Sequence, residues 1–138
     1  MTTAHKRFIL NKLCPFLLRE QGRGFEMYRW LHKETTGTYF HFDTNRRVRT
    51  PTCGTVCCIG GSIQHLKRTL GGSYFETVGR LIGLNMAQSD ILFSSDIRWP
   101  QPFAQRYMDA KTPYQQAKVA VALLKKVVST EGACLDSV

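Results

Sequence analysis

The 138-residue chain has no long run of apolar residues. A membrane-spanning helix needs about 20 of them in succession, whereas the longest uncharged run near the C-terminus covers only Val119 to Leu124. The apolar stretch after Arg7 is interrupted by Asn11 and Lys12, and no small-residue cleavage site follows it. We therefore expect a cytoplasmic protein that enters no membrane and is not secreted.

The chain also lacks the dispersed, even set of cysteines that is typical of a disulfide-stapled domain. It has five cysteines, and three of them crowd together at Cys53, Cys57 and Cys58. We interpret them as reduced thiols of the cytosol.

Internal repeats, low-complexity tracts and linkers are missing as well, so residues 1–138 are predicted to form a single domain.

Acidic residues are scarce, with 10 of them against 19 basic ones and a net charge of +9. The excess is uneven: up to Gly72 there are 12 basic and 4 acidic residues, and from Ser73 onward there are 7 and 6. Such a field attracts polyanions by long-range, salt-screened attraction. The N-terminal half is therefore expected to face nucleic acid or an acidic protein surface.

Hydrophobic spacing predicts a mainly α fold, a compact single-domain bundle of about five or six helices. Pro15 cannot donate a backbone hydrogen bond, so we expect a kink or a break near Cys14 in the first helix. The helices are predicted from Thr2 or Thr3 to about Gln21, from Thr55 to Leu70, from Ser73 to Gly83, from Met86 to Phe93, from Phe103 to Ala110, and onward from Thr112 with Pro113 at its first position. Gly71 and Gly72 are expected to cap the second of these, and capping boxes are expected at Ser73 with Glu76 and at Asn85 with Gln88. In the last helix the apolar stripe is expected to be Tyr114, Ala117, Val121, Leu124 and Val128.

A small β-hairpin is predicted at residues 38–50, with Asp43, Thr44 and Asn45 as its turn. It supplies most of the candidate binding residues: basic groups that could contact phosphates, and aromatic rings that could stack on bases or anchor a protein. The basic candidates are Arg46, Arg47 and Arg49, supported by Lys33, Lys67 and Arg68; the aromatic ones are Tyr39, Phe40 and Phe42. The alternative is a solvated basic loop that aids solubility.

Five ordered motifs resemble a family of small, functionally uncharacterised proteins of bacteria and their phages. They are Phe25-Glu26-Met27 with Trp30, the Cys-Gly-Thr-x-x-Cys-Ile-x-Gly motif from Cys53, Gly83-Leu84 with Leu92-Phe93, Trp99-Pro100, and Thr112-Pro113 with Gln116-Ala117. The resemblance implies a protein of the bacterial host cell, and a phage-encoded member would fit an inhibitor of a host defence complex. It transfers no catalytic roles. The chain departs from the pattern by its Cys57, by Gly61 where a bulky aromatic is common, and by the inserted basic region.

The cysteines leave a second interpretation open, a thiol- or zinc-dependent enzyme centred on Cys53, Cys57 and Cys58. His41 and His65 could complete a tetrahedral zinc site, but the paired C-x-x-C or H-x-x-x-H units of strong zinc motifs are missing. The arginine that a phosphatase loop needs six positions after its cysteine is missing too. We therefore favour a non-enzymatic protein without cofactor, in which Cys53 to Gly61 is a packing centre.

Residues 78–93 resemble a helix-turn-helix with Gly83 at the turn. Met86 to Phe93 would be the helix that enters the DNA groove, yet it contains Asp90 and no basic residue. Ser89 also stands where an apolar core residue is expected. The pattern therefore favours core architecture over DNA reading.

Overall fold

The computed structural model describes residues 1–22, 25, 31–33, 39–41, 46–47, 55–56, 58–68, 75–94 and 96–136. The chain begins with a helical rod built from three consecutive segments. These segments are α1 (Thr3–Phe8), a π-helical turn (Ile9–Leu13) and α2 (Cys14–Leu18). Thr2 caps the rod as predicted: its hydroxyl accepts from the His5 backbone N–H at 3.2 Å, and His5 Nδ1 accepts from the Thr2 N–H at 3.0 Å. This reciprocal pair is a capping box.

The π turn is how the rod accommodates Pro15. The backbone N–H of Cys14 donates to the Ile9 carbonyl, five residues back, so the turn is wider than in an α-helix. Helical dihedral angles continue through Leu13 and Cys14, so the helix does not break there. The predicted extension to Gln21 is wrong, because Glu20 and Gln21 are left-handed, with φ of 50° and 58°.

Four short strands follow: β1 (Leu31–Lys33), β2 (Tyr39–His41), β3 (Arg46–Arg47) and β4 (Thr55–Val56). They pair antiparallel in the order β3-β2-β1-β4. The pairing of β2 with β3, Phe40 opposite Arg47, lies within the predicted hairpin at residues 38–50. The helix predicted from Thr55 is wrong at its start, because Thr55 pairs with Lys33 in the sheet.

The third helix, α3 (Ile59–Lys67), begins after Cys58, whose extended backbone ends the preceding segment. The Cys58 sulfur accepts from the Gly61 backbone N–H at 3.4 Å, and the Ser62 hydroxyl donates to the Cys58 carbonyl at 2.7 Å. Cys58 to Gln64 are all buried, as expected of a packing centre. The helix ends at Arg68, which is left-handed; Gly71 and Gly72, the predicted caps, lie outside the described residues.

Helices α4 (Phe75–Arg80) and α5 (Met86–Ser94) are joined by a tight turn. Gly83, with φ of +83°, ends the first of them as predicted, because the Leu84 N–H returns to the Gly79 carbonyl at 2.9 Å. The predicted capping box of α5 is confirmed: Gln88 N–H donates to Asn85 Oδ1, and Asn85 N–H to Gln88 Oε1. Ser73, the predicted cap of α4, lies outside the described residues.

Helix α7 (Pro113–Thr130) is the longest of those described and packs against α2 and against α6 (Phe103–Asp109). Thr112 caps it as predicted, accepting from the Gln115 N–H at 3.1 Å. Short 3₁₀ turns lie at Asp96–Arg98, between α5 and α6, and at Ala133–Leu135, after α7. The predicted stripe of α7 is buried at Ala117, Val121 and Leu124, but Tyr114 is exposed and Val128 is only half-buried. The other buried residues of α7 are Ala120, Leu123 and Val127.

The whole is a mainly α, compact domain, which confirms the predicted fold class. Because α1, the π turn and α2 are one rod, the described residues contain six helical rods. Within those residues, no helix combines the length and the apolar character needed to cross a bilayer.

Candidate anion-binding surface

The predicted binding residues, basic and aromatic, divide into those with described side chains and those without. Lys67 and Arg68 are exposed at the end of α3. Five others are described by their backbone alone: Lys33 in β1, Tyr39 and Phe40 in β2, and Arg46 and Arg47 in β3. Arg49 and Phe42 lie outside the described residues. The antiparallel pairing nevertheless places the backbones of Phe40 and Arg47 opposite each other.

A cluster of cationic and aromatic groups joins the first rod to the end of α3. Phe16 is its centre: the Arg19 guanidinium carbon lies 3.6 Å from the ring centroid, and the His65 ring stacks on it at 5.0 Å with an interplanar angle of 26°. Arg19 also donates from Nη1 to the Phe16 carbonyl at 2.8 Å, which fixes the guanidinium over the ring. Contacts of this kind hold cations in place without neutralising them.

Lys67 extends the same surface toward the N-terminus. Its Nζ lies 4.3 Å from the ring centroid of Phe8, one residue before the π turn. The aliphatic stem of a lysine can cover an aromatic ring in this way while its charge stays in water. Phe8 and Phe16 are thus two aromatic supports for cations on the first rod.

The electrostatic effect of the surface appears in its two histidines. Burial, then the positive charges of Arg19 and Arg68, lower the pKa of His65 from its ordinary value. Burial, then the terminal ammonium group and Lys67, lower the pKa of His5. Burial is the larger cause of both pKa shifts, and the neighbouring cations add to it because they disfavour protonation.

The cations at the end of α3 are not used in ion pairs between described residues. The ion pairs between described residues lie elsewhere: they join Lys6 to Glu131 at 3.1 Å, Arg80 to Glu76, and Arg98 to Asp90. Within the described part of the chain, no carboxylate therefore neutralises Lys67 or Arg68.

Arg68 also has a left-handed backbone conformation, which is unfavourable for an arginine. Its φ of 56° and ψ of 41° are left-handed, a conformation that glycine or asparagine adopts at much lower cost.

Sequence reasoning missed the residues that the first rod contributes to this surface. Phe8, Phe16 and Arg19 were not among the candidates, although the three-residue spacing of Phe16 and Arg19 on a helix signals a contact. The stacking of His65 on Phe16 joins two separate helices, and no local pattern indicates it.

The thiol and zinc residues do not assemble into a site in the described part of the chain. Cys58 is buried, as expected of a small apolar residue, and its sulfur also caps α3. His65 stacks on Phe16, His41 is described by its backbone alone, and Cys53 and Cys57 lie outside the described residues. No group of three or more metal-ligating side chains occurs among those that are described. Elsewhere, burial raises the pKa of the Cys14 thiol to about 11, which makes it a poor nucleophile at neutral pH.

Comparisons of the chain with protein-family models, curated proteins and solved structures found no match.

Proposed function

We propose that the chain is a non-enzymatic binding protein that engages a polyanion, either nucleic acid or an acidic protein surface, through its N-terminal half. We assign to the contact surface Arg19, His65, Lys67 and Arg68, and include the predicted basic residues Arg46 and Arg47 of the β2–β3 hairpin. We name this set the cationic surface. Attraction to phosphates or carboxylates needs no catalytic group, in keeping with the buried, capping role of Cys58.

The observation that carries the proposal is the preassembled cluster around Phe16. A cation that is already fixed over a ring loses less conformational freedom on binding than a free surface lysine does. Arg19 is fixed in this way, with its guanidinium carbon 3.6 Å from the ring centroid and a hydrogen bond to the Phe16 carbonyl. A solvated loop that serves only solubility needs no such arrangement.

The test is a fluorescence-anisotropy titration with labelled duplex DNA, single-stranded RNA and polyglutamate at about 50 and 200 mM salt. We expect the wild-type protein to bind at least one of these at low salt and to weaken steeply at the higher concentration. The double substitution K67E/R68E should raise Kd at least about tenfold and flatten the salt dependence.

A matched control reverses two charges elsewhere. Arg106 lies on α6 and Lys111 just beyond it, both exposed and in the half of near-neutral charge. R106E/K111E changes the net charge by the same amount as K67E/R68E. If both double variants weaken binding equally, or if none of the three polyanions binds at low salt, the proposal is wrong.

The family resemblance extends this proposal to a biological setting. A phage-encoded protein acting in the cytoplasm of its bacterial host would meet nucleic acid and the acidic surfaces of defence complexes. What supports this extension is the resemblance together with the positive charge of the N-terminal half.

A further inference from the structure

The helix-turn-helix shape of α4 and α5 has a groove on its surface. Its volume is about 610 Å³, within the usual range of ligand sites. Its lining residues are Phe75, Glu76, Thr77, Met86, Ala87 and Asp90. Ser89, the polar residue at an expected core position, is fully buried, and its hydroxyl donates to the Asn85 carbonyl.

The charges around the groove argue against DNA as its ligand. Helix α5, from Met86 to Ser94, has no basic residue, and the carboxylates of Glu76 and Asp90 line the groove. Phosphates would be repelled by these two groups. The same carboxylates attract a cation, even within a chain of net charge +9.

The apolar part of the groove is suited to a protein side chain. Phe75 is held edge-on against the buried Phe93, with ring centroids 6.1 Å apart, so it offers a fixed wall. Met86 is 63% exposed, the flexible and polarizable kind of residue that adapts to a partner's surface. An exposed methionine next to an aromatic wall is typical of interfaces rather than of ordinary surface.

Both carboxylates already have a weak partner that can be exchanged. Glu76 pairs with Arg80 and Asp90 with Arg98, and all four side chains are 42% or more exposed. Ion pairs this exposed contribute little, so a partner's lysine or arginine can join or replace either arginine at small cost.

We propose that this groove binds a basic amphipathic segment of a partner protein, with one large apolar side chain inserted between Phe75 and Met86 and flanking lysine or arginine residues on Glu76 and Asp90. The groove is separate from the cationic surface, so the domain would join a polyanion on one side to a basic segment on another. Binding of the basic segment does not depend on the proposed function; only the joining to a polyanion rests on it.

The test uses a synthetic helical peptide of about 15 leucine and lysine residues and a counterpart in which uncharged glutamine replaces lysine, because a glutamate peptide would itself be a ligand for the cationic surface. Binding is measured by anisotropy at about 150 mM salt, where long-range repulsion between cationic molecules is screened. We expect the leucine–lysine peptide to bind, its glutamine counterpart to bind far more weakly, and M86K to weaken binding at least about tenfold.

Met108 on α6 supplies the control, because it is also 63% exposed but lies outside the groove. M108K should bind the peptide as the wild-type protein does, and thermal melts should show that both variants are folded. The proposal is overturned if the leucine–lysine peptide does not bind, if the two peptides bind equally, or if M86K and M108K behave alike. It is also overturned if sedimentation shows a wild-type dimer that M86K dissociates, since a second copy would then occupy the groove.

Discussion

At the scale of single residues, the packing of α4 against α5 depends on two small side chains. A Cβ added at Gly79 would lie 1.7 Å from the Ser89 Oγ and 2.7 Å from the Ser89 Cβ. Ser89 cannot move away freely, because its hydroxyl bonds the Asn85 carbonyl at 2.6 Å. The glycine inside α4 is therefore required by a neighbouring side chain, whereas Gly83 is required by its backbone conformation.

We expect G79A to lower the free energy of unfolding by about 1–3 kcal/mol, the usual cost of overpacking a core. The measurement is urea denaturation. S89G removes both atoms that the new methyl group would meet, so the double variant G79A/S89G should lose less stability than the two single changes added together. Strict additivity would show that the two residues are not in contact.

At the scale of elements, the helix ends that follow common rules could be predicted from sequence. Thr112 and Asn85 cap their helices, and Gly83 ends α4, because each of these roles depends on a local hydrogen bond or a local backbone conformation. Two other ends could not be predicted. Arg68 ends α3 in a conformation expected of glycine, and Cys58 begins it with a sulfur acceptor that ordinary capping preferences do not include.

Two helices end on a charged residue in the left-handed conformation, which gives a matched pair for a prediction. Arg68 ends α3 and Glu131 ends α7, with φ of 56° and 52°. We expect R68G to raise the free energy of unfolding by up to about 1 kcal/mol, because glycine relieves the steric cost, and at the same time to weaken polyanion binding.

E131G is the control for that experiment. It relieves the same kind of strain at another helix end but also removes the exposed ion pair between Lys6 and Glu131. Because such a pair contributes little, E131G should still raise the melting temperature slightly, and it should not weaken polyanion binding. Thermal melts and anisotropy titrations measure the two effects separately. If R68G bound polyanion as tightly as the wild-type protein, the strained arginine would have no role in binding.

At the scale of the whole molecule, the uneven charge could be predicted and its arrangement could not. Counting residues placed the positive field in the N-terminal half and selected Lys67 and Arg68. The count could not show that Phe16 brings Arg19 and His65 together, because this contact depends on how the first rod crosses α3. The hairpin was predicted from its turn residues, but its place in a four-stranded sheet depends on pairing with the distant strands β1 and β4.

The two histidines should make the stability of the domain depend on pH. Burial lowers the pKa of both His5 and His65 in the folded state, so the unfolded chain takes up protons first as the pH falls. Stability is therefore fully present above about pH 6.5 and declines toward about pH 5. Urea denaturation at these values should show the decline.

H65F keeps a ring on Phe16 and removes the titrating imidazole of His65. Its free energy of unfolding should therefore fall less between about pH 7 and pH 5 than that of the wild-type protein. An equal fall in both proteins would mean that His65 is not the source of the dependence.

The π turn at Ile9–Leu13 has a consequence for how the chain should be aligned with other sequences. A π turn is equivalent to one extra residue accommodated within an α-helix, and here it keeps Ile9, Leu13 and Leu17 all fully buried. A homologue lacking one residue in this turn could keep the same buried face with an ordinary helix. Searches for homologues should therefore allow a single-residue gap between positions 9 and 13, where a strict helical register would reject a true match.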